Sequence, residues 1–379
     1  MAIKPADFFK KLTSHGVEFF TGVPDSLLKE FCLCIDDSIV GDKHIIAANE
    51  GNAVALAAGY YLAQKSLPLV YMQNSGLGNA INPLLSLCDT EVYSIPMLVM
   101  IGWRGEPGVK DEPQHIKQGK VQLELLEAMD MPYEIISKDD KQYAMQISNA
   151  VEIAKTENRP VVLLIRKGTF EKYTTENEKS PIQCMKREEA LETILGNLDE
   201  NAIVVSTTGK TSREIFEIRE KNSQSHEQDF LTVGSMGHCS AIALGIALAK
   251  PHRQVVCIDG DGAMLMHLGN LTSIATLKPK NFRHILMNNQ VHESVGGQKT
   301  AAKELDMTAI VNSVGSSEIF SAETSADLEL KFIDFISCPG PSFLEIKIRP
   351  GSREDLGRPT VKPHENKKHF MGFLKQNKD

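Results

Sequence analysis

The chain has 379 residues, 42% of them hydrophobic and 24% charged, with 41 Lys and Arg against 49 Asp and Glu for a formal net charge of −8. This is ordinary globular composition and excludes wholesale disorder, collagen and coiled coil, while the acidic balance argues against a nucleic-acid partner, which needs a basic footprint. Seven cysteines without regular spacing make no disulfide framework and read as small buried hydrophobes of a reducing compartment.

The first residues carry Lys4, Asp7, Lys10 and Lys11 with no apolar stretch among them, so no signal peptide is expected. The longest apolar runs fall far below the ~18 residues of a membrane span, and a cytoplasmic protein is expected. From there, β-branched apolar runs at 17–20, 44–47, 69–72, 96–101, 133–136 and 161–165 alternate with helical patterns at 26–34, 52–64, 78–88, 120–129 and 141–155. Such alternation implies a parallel sheet covered by helices on both faces. The run Pro160-Val161-Val162-Leu163-Leu164-Ile165 is apolar throughout, as a strand buried on both faces should be. A polar, charged stretch then reads as an interdomain linker over 171–185. The alternation restarts, with strands expected at 203–206, 230–233, 255–259, 284–288, 319–322 and 342–346 and the clearest helices at 240–248 and 326–336. The fold class is therefore α/β, with two doubly wound parallel-sheet domains at 1–170 and 186–350 and no room for a middle domain. The tail, 351–379, is basic and polar, with Lys367-Lys368, and reads as a solvated arm.

Several strand ends carry residues with chemistry. In the first domain, strand 44–47 runs into Asn49-Glu50-Gly51 and a helix rich in small residues, which sets Glu50 at a helix start. Ser75-Gly76-Leu77-Gly78 follows another strand and faintly resembles a dinucleotide fingerprint. The third glycine is replaced by Ile81, so nicotinamide binding is not expected, and the glycines read as giving close backbone approach at the domain interface. In the second domain, Ser206-Thr207-Thr208-Gly209-Lys210 and Thr232-Val233-Gly234-Ser235-Met236-Gly237-His238 each leave a strand. Strand 255–259 ends in Gly260-Asp261-Gly262-Ala263, a turn that lets backbone approach a diphosphate at a helix start. The next strand ends in Asn288-Asn289. In a doubly wound sheet ligands gather at the carboxyl ends of adjacent strands, so Asp261 and the Asn289 amide oxygen form a donor set suited to Mg²⁺.

The spacing from Gly260-Asp261-Gly262 to Asn288-Asn289 resembles the signature of thiamine-diphosphate-dependent enzymes. The resemblance implies a pyrimidine-binding domain at 1–170 and a diphosphate-binding domain at 186–350, with thiamine diphosphate and Mg²⁺ as cofactors. It makes Asp261, the side chain of Asn289 and the main-chain oxygen of Val291 the metal ligands. Glu50 would hydrogen-bond N1′ of the aminopyrimidine, Gly234 would offer its carbonyl to the 4′-amino group, and Met236 would lie under the cofactor. Thr208, Gly209, Gly260, Gly262 and Ala263 would complete the cofactor contacts.

The two-domain layout, with Gly22-Val23-Pro24-Asp25-Ser26, Gly102-Trp103-Arg104-Gly105, Asp111-Glu112-Pro113-Gln114-His115 and His292-Glu293-Ser294-Val295-Gly296-Gly297-Gln298, is similar to the family's decarboxylases of phosphonopyruvate and sulfopyruvate. The tail runs Gly351-Ser352-Arg353 and Leu356-Gly357-Arg358-Pro359 fit the same group. The resemblance implies decarboxylation of a small 2-oxoacid, 3-phosphonopyruvate, to phosphonoacetaldehyde and CO₂ in 2-aminoethylphosphonate biosynthesis. Sulfopyruvate decarboxylation or carboligation on the same cofactor is the alternative. Asp25 and His115 would join Glu50 as catalytic residues. Ser26, Arg104, Lys110, Gln118 and Lys299 would contact substrate, with Arg353 and Arg358 behind them. A homodimer or higher homo-oligomer is implied, with active sites at the subunit interface.

Overall fold

In a computed structural model, residues 2–138, 142–175, 184–315 and 318–376 are described. The chain forms two compact units, residues 1–179 with 294–298, and residues 180–293 with 299–379. Residues 176–183 of the expected linker lie outside the described residues.

The first unit holds β1 (Phe20–Gly22), β2 (His44–Ile46), β3 (Leu69–Gln73), β4 (Met97–Gly102), β5 (Tyr133–Ile136) and β6 (Pro160–Ile165) in the order β2-β1-β3-β4-β6-β5. All its neighbours are parallel. The second holds β7 (Ile203–Ser206), β8 (Asp229–Leu231), β9 (Val255–Gly260) and β10 (Phe282–Asn288). The short β11 (Val291–His292) and β12 (Gln298–Lys299) lie outside its main sheet, which is completed by β13 (Glu318–Ala322) and β14 (Ser342–Lys347). Its order is β13-β14-β10-β9-β7-β8, again all parallel. Read from the opposite edge, this is the same winding as the first sheet. The shared architecture expected of the two halves, without a residue-level repeat, is present strand for strand.

The pleat explains why these strands read as unbroken apolar runs. Along β4, Leu98 and Met100 enter one core while Met97, Val99 and Ile101 enter the other, on the opposite face. Along β10, Ile285 and Met287 face one core of the second sheet, and Phe282 and Leu286 face the other. Every position on such a strand is interior, and each large side chain contributes about 1.5–3 kcal/mol by burial.

Three expectations shift. The first strand forms at Phe20–Gly22 rather than 17–20: Val17 is buried but precedes the ladder, whose first bond runs from the Leu69 N–H to the Phe19 carbonyl at 2.9 Å. The strand expected at 230–233 forms at Asp229–Leu231. The tail is not a solvated arm. Its helix Pro363–Lys375 turns Lys367 and Lys368 outward and buries Phe370 and Phe373 in the second unit's core, where Arg253 donates to the Phe373 carbonyl at 3.0 Å and stacks on its ring.

Each unit is closed at its own ends. Ile3 pairs with Phe170 in a parallel bridge, and Met185 with Ile348. Among the described residues, no helix is long and apolar enough to cross a membrane.

Candidate active site

In the second unit the carboxyl ends of β7, β9 and β10 come together where the strand order reverses, the place where doubly wound sheets bind ligands. Ser206 lies opposite Ile258, and Met287 opposite Gly260, so the segments that leave these strands emerge side by side. Asp261 opens the helix Asp261–Met266 and is 3% exposed. Its carboxylate accepts from the Thr300 hydroxyl and from the peptide N–H groups of Gly262 and Asn289. Burial nevertheless pushes its pKa up to about 6, and among the described residues no cationic side chain pairs with it.

Asn289 is also buried. Its Oδ1 accepts from the Val291 N–H at 3.1 Å, and its Nδ2 donates to Glu293 at 2.9 Å. A buried carboxylate without a cation, beside an amide oxygen with a lone pair to spare, is the donor chemistry a hard divalent ion takes. The residues present therefore fit Mg²⁺, with the Val291 carbonyl in the same short segment.

Around this pair, Ala263 and Gly262 are buried, while Gly260, Thr208 and Gly209 are partly exposed, Gly209 just before the helix Lys210–Lys221. Gly234 and Met236 are partly exposed in the loop after β8. Gly237 of that loop packs against His267 and the Ala263 carbonyl, which ties the loop to the helix that Asp261 begins. Lys299 is exposed, one residue before the Thr300 that binds Asp261.

In the first unit Glu50 begins the helix Glu50–Gln64, capped by the Asn49 side chain, which accepts from the Asn52 N–H at 2.9 Å. Glu50 is 5% exposed, and Asn79 Nδ2 donates to its Oε2 at 2.8 Å. Burial raises its pKa. A Cβ on Gly76 would stand 2.3 Å from Glu50 Oε1, so only glycine lets the carboxylate lie where it does. The close approach found at Gly76 is to a side chain of its own unit, Glu50, rather than the backbone approach at the domain interface expected of the 75–78 glycines. Gly78 meets nothing within 4 Å.

Asp25 is 1% exposed, accepts from the Leu27 N–H at 2.9 Å, and is pushed up to about 6 by burial. It packs on Gly102, where a Cβ would stand 2.1 Å from its Oδ2. Arg104 reaches the same corner, with Nε on Asp111 Oδ2 at 2.8 Å and Nη1 on Ser26 Oγ at 2.7 Å. His115 is buried on the helix Pro113–Lys120, its carbonyl against Gly105. Lys110 and Gln118 are exposed. The structure therefore groups Asp25, Ser26 and Arg104, and separately groups Asp261 with Asn289.

Four contributors were not singled out from the sequence. Asn79 and Thr300 carry no local signal. Glu293 and Lys210 fall inside quoted runs, but nothing there shows that Glu293 pairs with Lys210, at 2.8 Å, and also with Arg187.

A family model described as the thiamine pyrophosphate enzyme N-terminal TPP binding domain matches residues 6–129, and the C-terminal TPP binding domain matches residues 207–346. A phosphonopyruvate decarboxylase of Streptomyces hygroscopicus is 34% identical, over 98% of this chain and 94% of that protein. A second, from Streptomyces viridochromogenes, is 34% identical over 98% and 95%. A sulfopyruvate decarboxylase of Methanosarcina acetivorans is 28% identical over 95% and 94%. With the doubly wound winding in both halves and an acid–amide pair at the strand ends of the second, the chain belongs to the thiamine pyrophosphate enzyme family, in its phosphonopyruvate decarboxylase branch.

Proposed function

We propose that this enzyme decarboxylates 3-phosphonopyruvate to phosphonoacetaldehyde and CO₂, with thiamine diphosphate and Mg²⁺, in phosphonate biosynthesis leading to 2-aminoethylphosphonate. The observation that carries the substrate is the likeness, along nearly the whole of both chains, to phosphonopyruvate decarboxylases, at 34% identity against 28% for the sulfopyruvate enzyme. Residues 1–170 serve as the pyrimidine-binding domain and 186–350 as the diphosphate-binding domain, joined by 171–185. The active assembly is a homodimer or a larger homo-oligomer with its active sites at the subunit interface.

Thiamine diphosphate, when bound, would supply a carbon nucleophile and an electron sink. The chain's own residues orient, hold charge and move protons. Asp261, the Asn289 amide oxygen and the Val291 carbonyl hold Mg²⁺. Thr208, Gly209, Gly260, Gly262 and Ala263 line the diphosphate, Gly234 offers a carbonyl to the aminopyrimidine, and Met236 supports its apolar face. Glu50 would hydrogen-bond N1′ of the aminopyrimidine, and its burial would strengthen a charge-assisted bond there. Asp25, with a pKa of about 6, is poised to exchange a proton near neutral pH, with His115 as its relay to the product carbon. Asp111 occupies Arg104, which therefore orients Ser26 toward the substrate. Lys110 and Lys299 are then the first cations for the phosphonate, with Gln118 as a neutral donor; Arg353, which pairs with Glu188, Glu217 and Asp355, and Arg358 come behind them.

Aldehyde release from phosphonopyruvate, sulfopyruvate and pyruvate, offered side by side with and without cofactor, tests the reading. Strong preference for phosphonopyruvate that disappears without thiamine diphosphate is expected. Turnover of sulfopyruvate alone would overturn the substrate and keep the cofactor chemistry.

A further inference from the structure

Glu293 stands at the centre of an ion cluster in the second unit. Its Oε1 accepts from Lys210 Nζ at 2.8 Å, and its Oε2 accepts from Arg187 Nη1 at 2.8 Å and from Asn289 Nδ2 at 2.9 Å. Arg187, 4% exposed, also sends Nε and Nη2 to the two oxygens of Glu214, each at 2.8 Å. Three elements far apart in sequence converge on one carboxylate. They are the helix Arg187–Gly196, the first residue of the helix Lys210–Lys221, and the segment after β10.

We propose that Glu293 is a positioning residue that sets which end of the Asn289 amide faces the divalent cation. The inference rests on the metal reading given under Proposed function. A carboxamide has one accepting end and one donating end of nearly equal size, and only the oxygen binds a cation. Something must exclude the flipped amide, which would present N–H groups to the metal. Glu293 does so because a carboxylate only accepts. The amide nitrogen can donate to it, whereas a flipped amide would set oxygen against oxygen. The Val291 N–H secures the other end, at 3.1 Å from Oδ1, and the second lone pair of that oxygen is left for the ion. Both Glu293 oxygens already carry cationic donors, so Glu293 is an orienting partner and not a competing ligand. Lys210, which follows the Thr208-Gly209 turn, shares the carboxylate, so the diphosphate loop and the metal amide are held by one group.

The test measures Mn²⁺ binding by electron paramagnetic resonance, with thiamine diphosphate present, on the full-length protein, alongside thermal melting. Glu293→Gln should weaken Mn²⁺ about 10–100-fold, the usual cost of losing a partner behind a metal ligand. Asn289→Asp should also weaken it, although a carboxylate is ordinarily the stronger ligand, because its second oxygen would meet Glu293. The double variant Asn289→Asp/Glu293→Gln exchanges donor and acceptor across the same contact and should recover Mn²⁺ affinity to within roughly threefold of the parent. A residue that merely filled space would give additive losses. Tighter binding by Asn289→Asp, wild-type binding by Glu293→Gln, or a double variant no better than the weaker single would each overturn the positioning role. The Asn289→Asp arm decides the matter even if Glu293→Gln does not fold. Asp261→Asn separates the two levels. If it retains Mn²⁺, the metal reading itself fails. If it abolishes Mn²⁺ while Glu293→Gln does not weaken it, only the inference about Glu293 fails.

Discussion

Gly76→Ala isolates the position of one carboxylate. Gly76 has φ −75° and ψ −16°, ordinary helical values, so alanine suffers no backbone strain there. What alanine meets is Glu50: its Cβ would stand 2.3 Å from Oε1 and 2.6 Å from both Cδ and Cγ. Contacts that close do not persist, and the side chain must swing by about 1 Å. Such a shift breaks the 2.8 Å bond from Asn79. Hydrogen bonds to a charged group contribute about 1.5–3 kcal/mol, and a misplacement of about 1 Å in a catalytic group typically costs on the order of a hundredfold in rate. The displaced atoms belong to a side chain, so the fold absorbs the change while chemistry does not. We expect kcat for aldehyde release to fall roughly a hundredfold at saturating cofactor, with Tm lowered by only a few degrees. Gly78→Ala is the matched control: it lies in the adjoining helix with nothing within 4 Å of its Cβ, and it should be silent or slightly stabilising. A Gly76→Ala enzyme within twofold of the parent would refute the placement of Glu50 as the carboxylate that matters.

Glu50→Ala should abolish turnover and leave the circular dichroism spectrum and Tm intact, since a buried carboxylate with a raised pKa is not a source of stability; retained activity would remove it from the mechanism. Asp25 has a folded-state pKa of about 6 against an ordinary 3.8, so the native state holds this proton more tightly and stability falls as pH rises between those values. Asp25→Asn should therefore be more stable than the parent at pH 7.5, by up to about 3 kcal/mol, and equal to it below pH 4; parallel urea-unfolding curves at the two pH values would contradict this. Phe373→Ala should cost about 3–5 kcal/mol in the same assay, because the ring is 7% exposed beneath the Arg253 guanidinium, whereas a solvated tail would give no change.

Much of this architecture is legible because interior parallel strands are apolar at every position. The runs at 96–101 and 161–165 correspond to β4 and β6 nearly residue for residue. One failure arises because burial and hydrogen-bond pairing are different things, and sequence patterning reports burial. Val17 is buried and unladdered, so the first strand was expected too early. The tail failed in the opposite sense. Lys367-Lys368 are conspicuous, and the two phenylalanines that follow them, at 370 and 373, are not. At the site, Asp261 and Asn289 are readable because the turn and strand lengths fix their spacing. Glu293 and its partner Arg187 are not, because the pair is 106 residues apart and no local pattern joins them.

The bridges that close each half have an architectural consequence. Ile3 donates to Thr169 and accepts from Glu171, while Arg349 donates to Met185, so each sheet is sealed by backbone from its own two ends. The covalent join between 171 and 185 is then dispensable for either ladder. A chain severed there, or permuted so that new ends open there, should keep both sheets whole. What the join supplies is stoichiometry and effective concentration: one copy of each half for every copy of the other, made in a single act of translation.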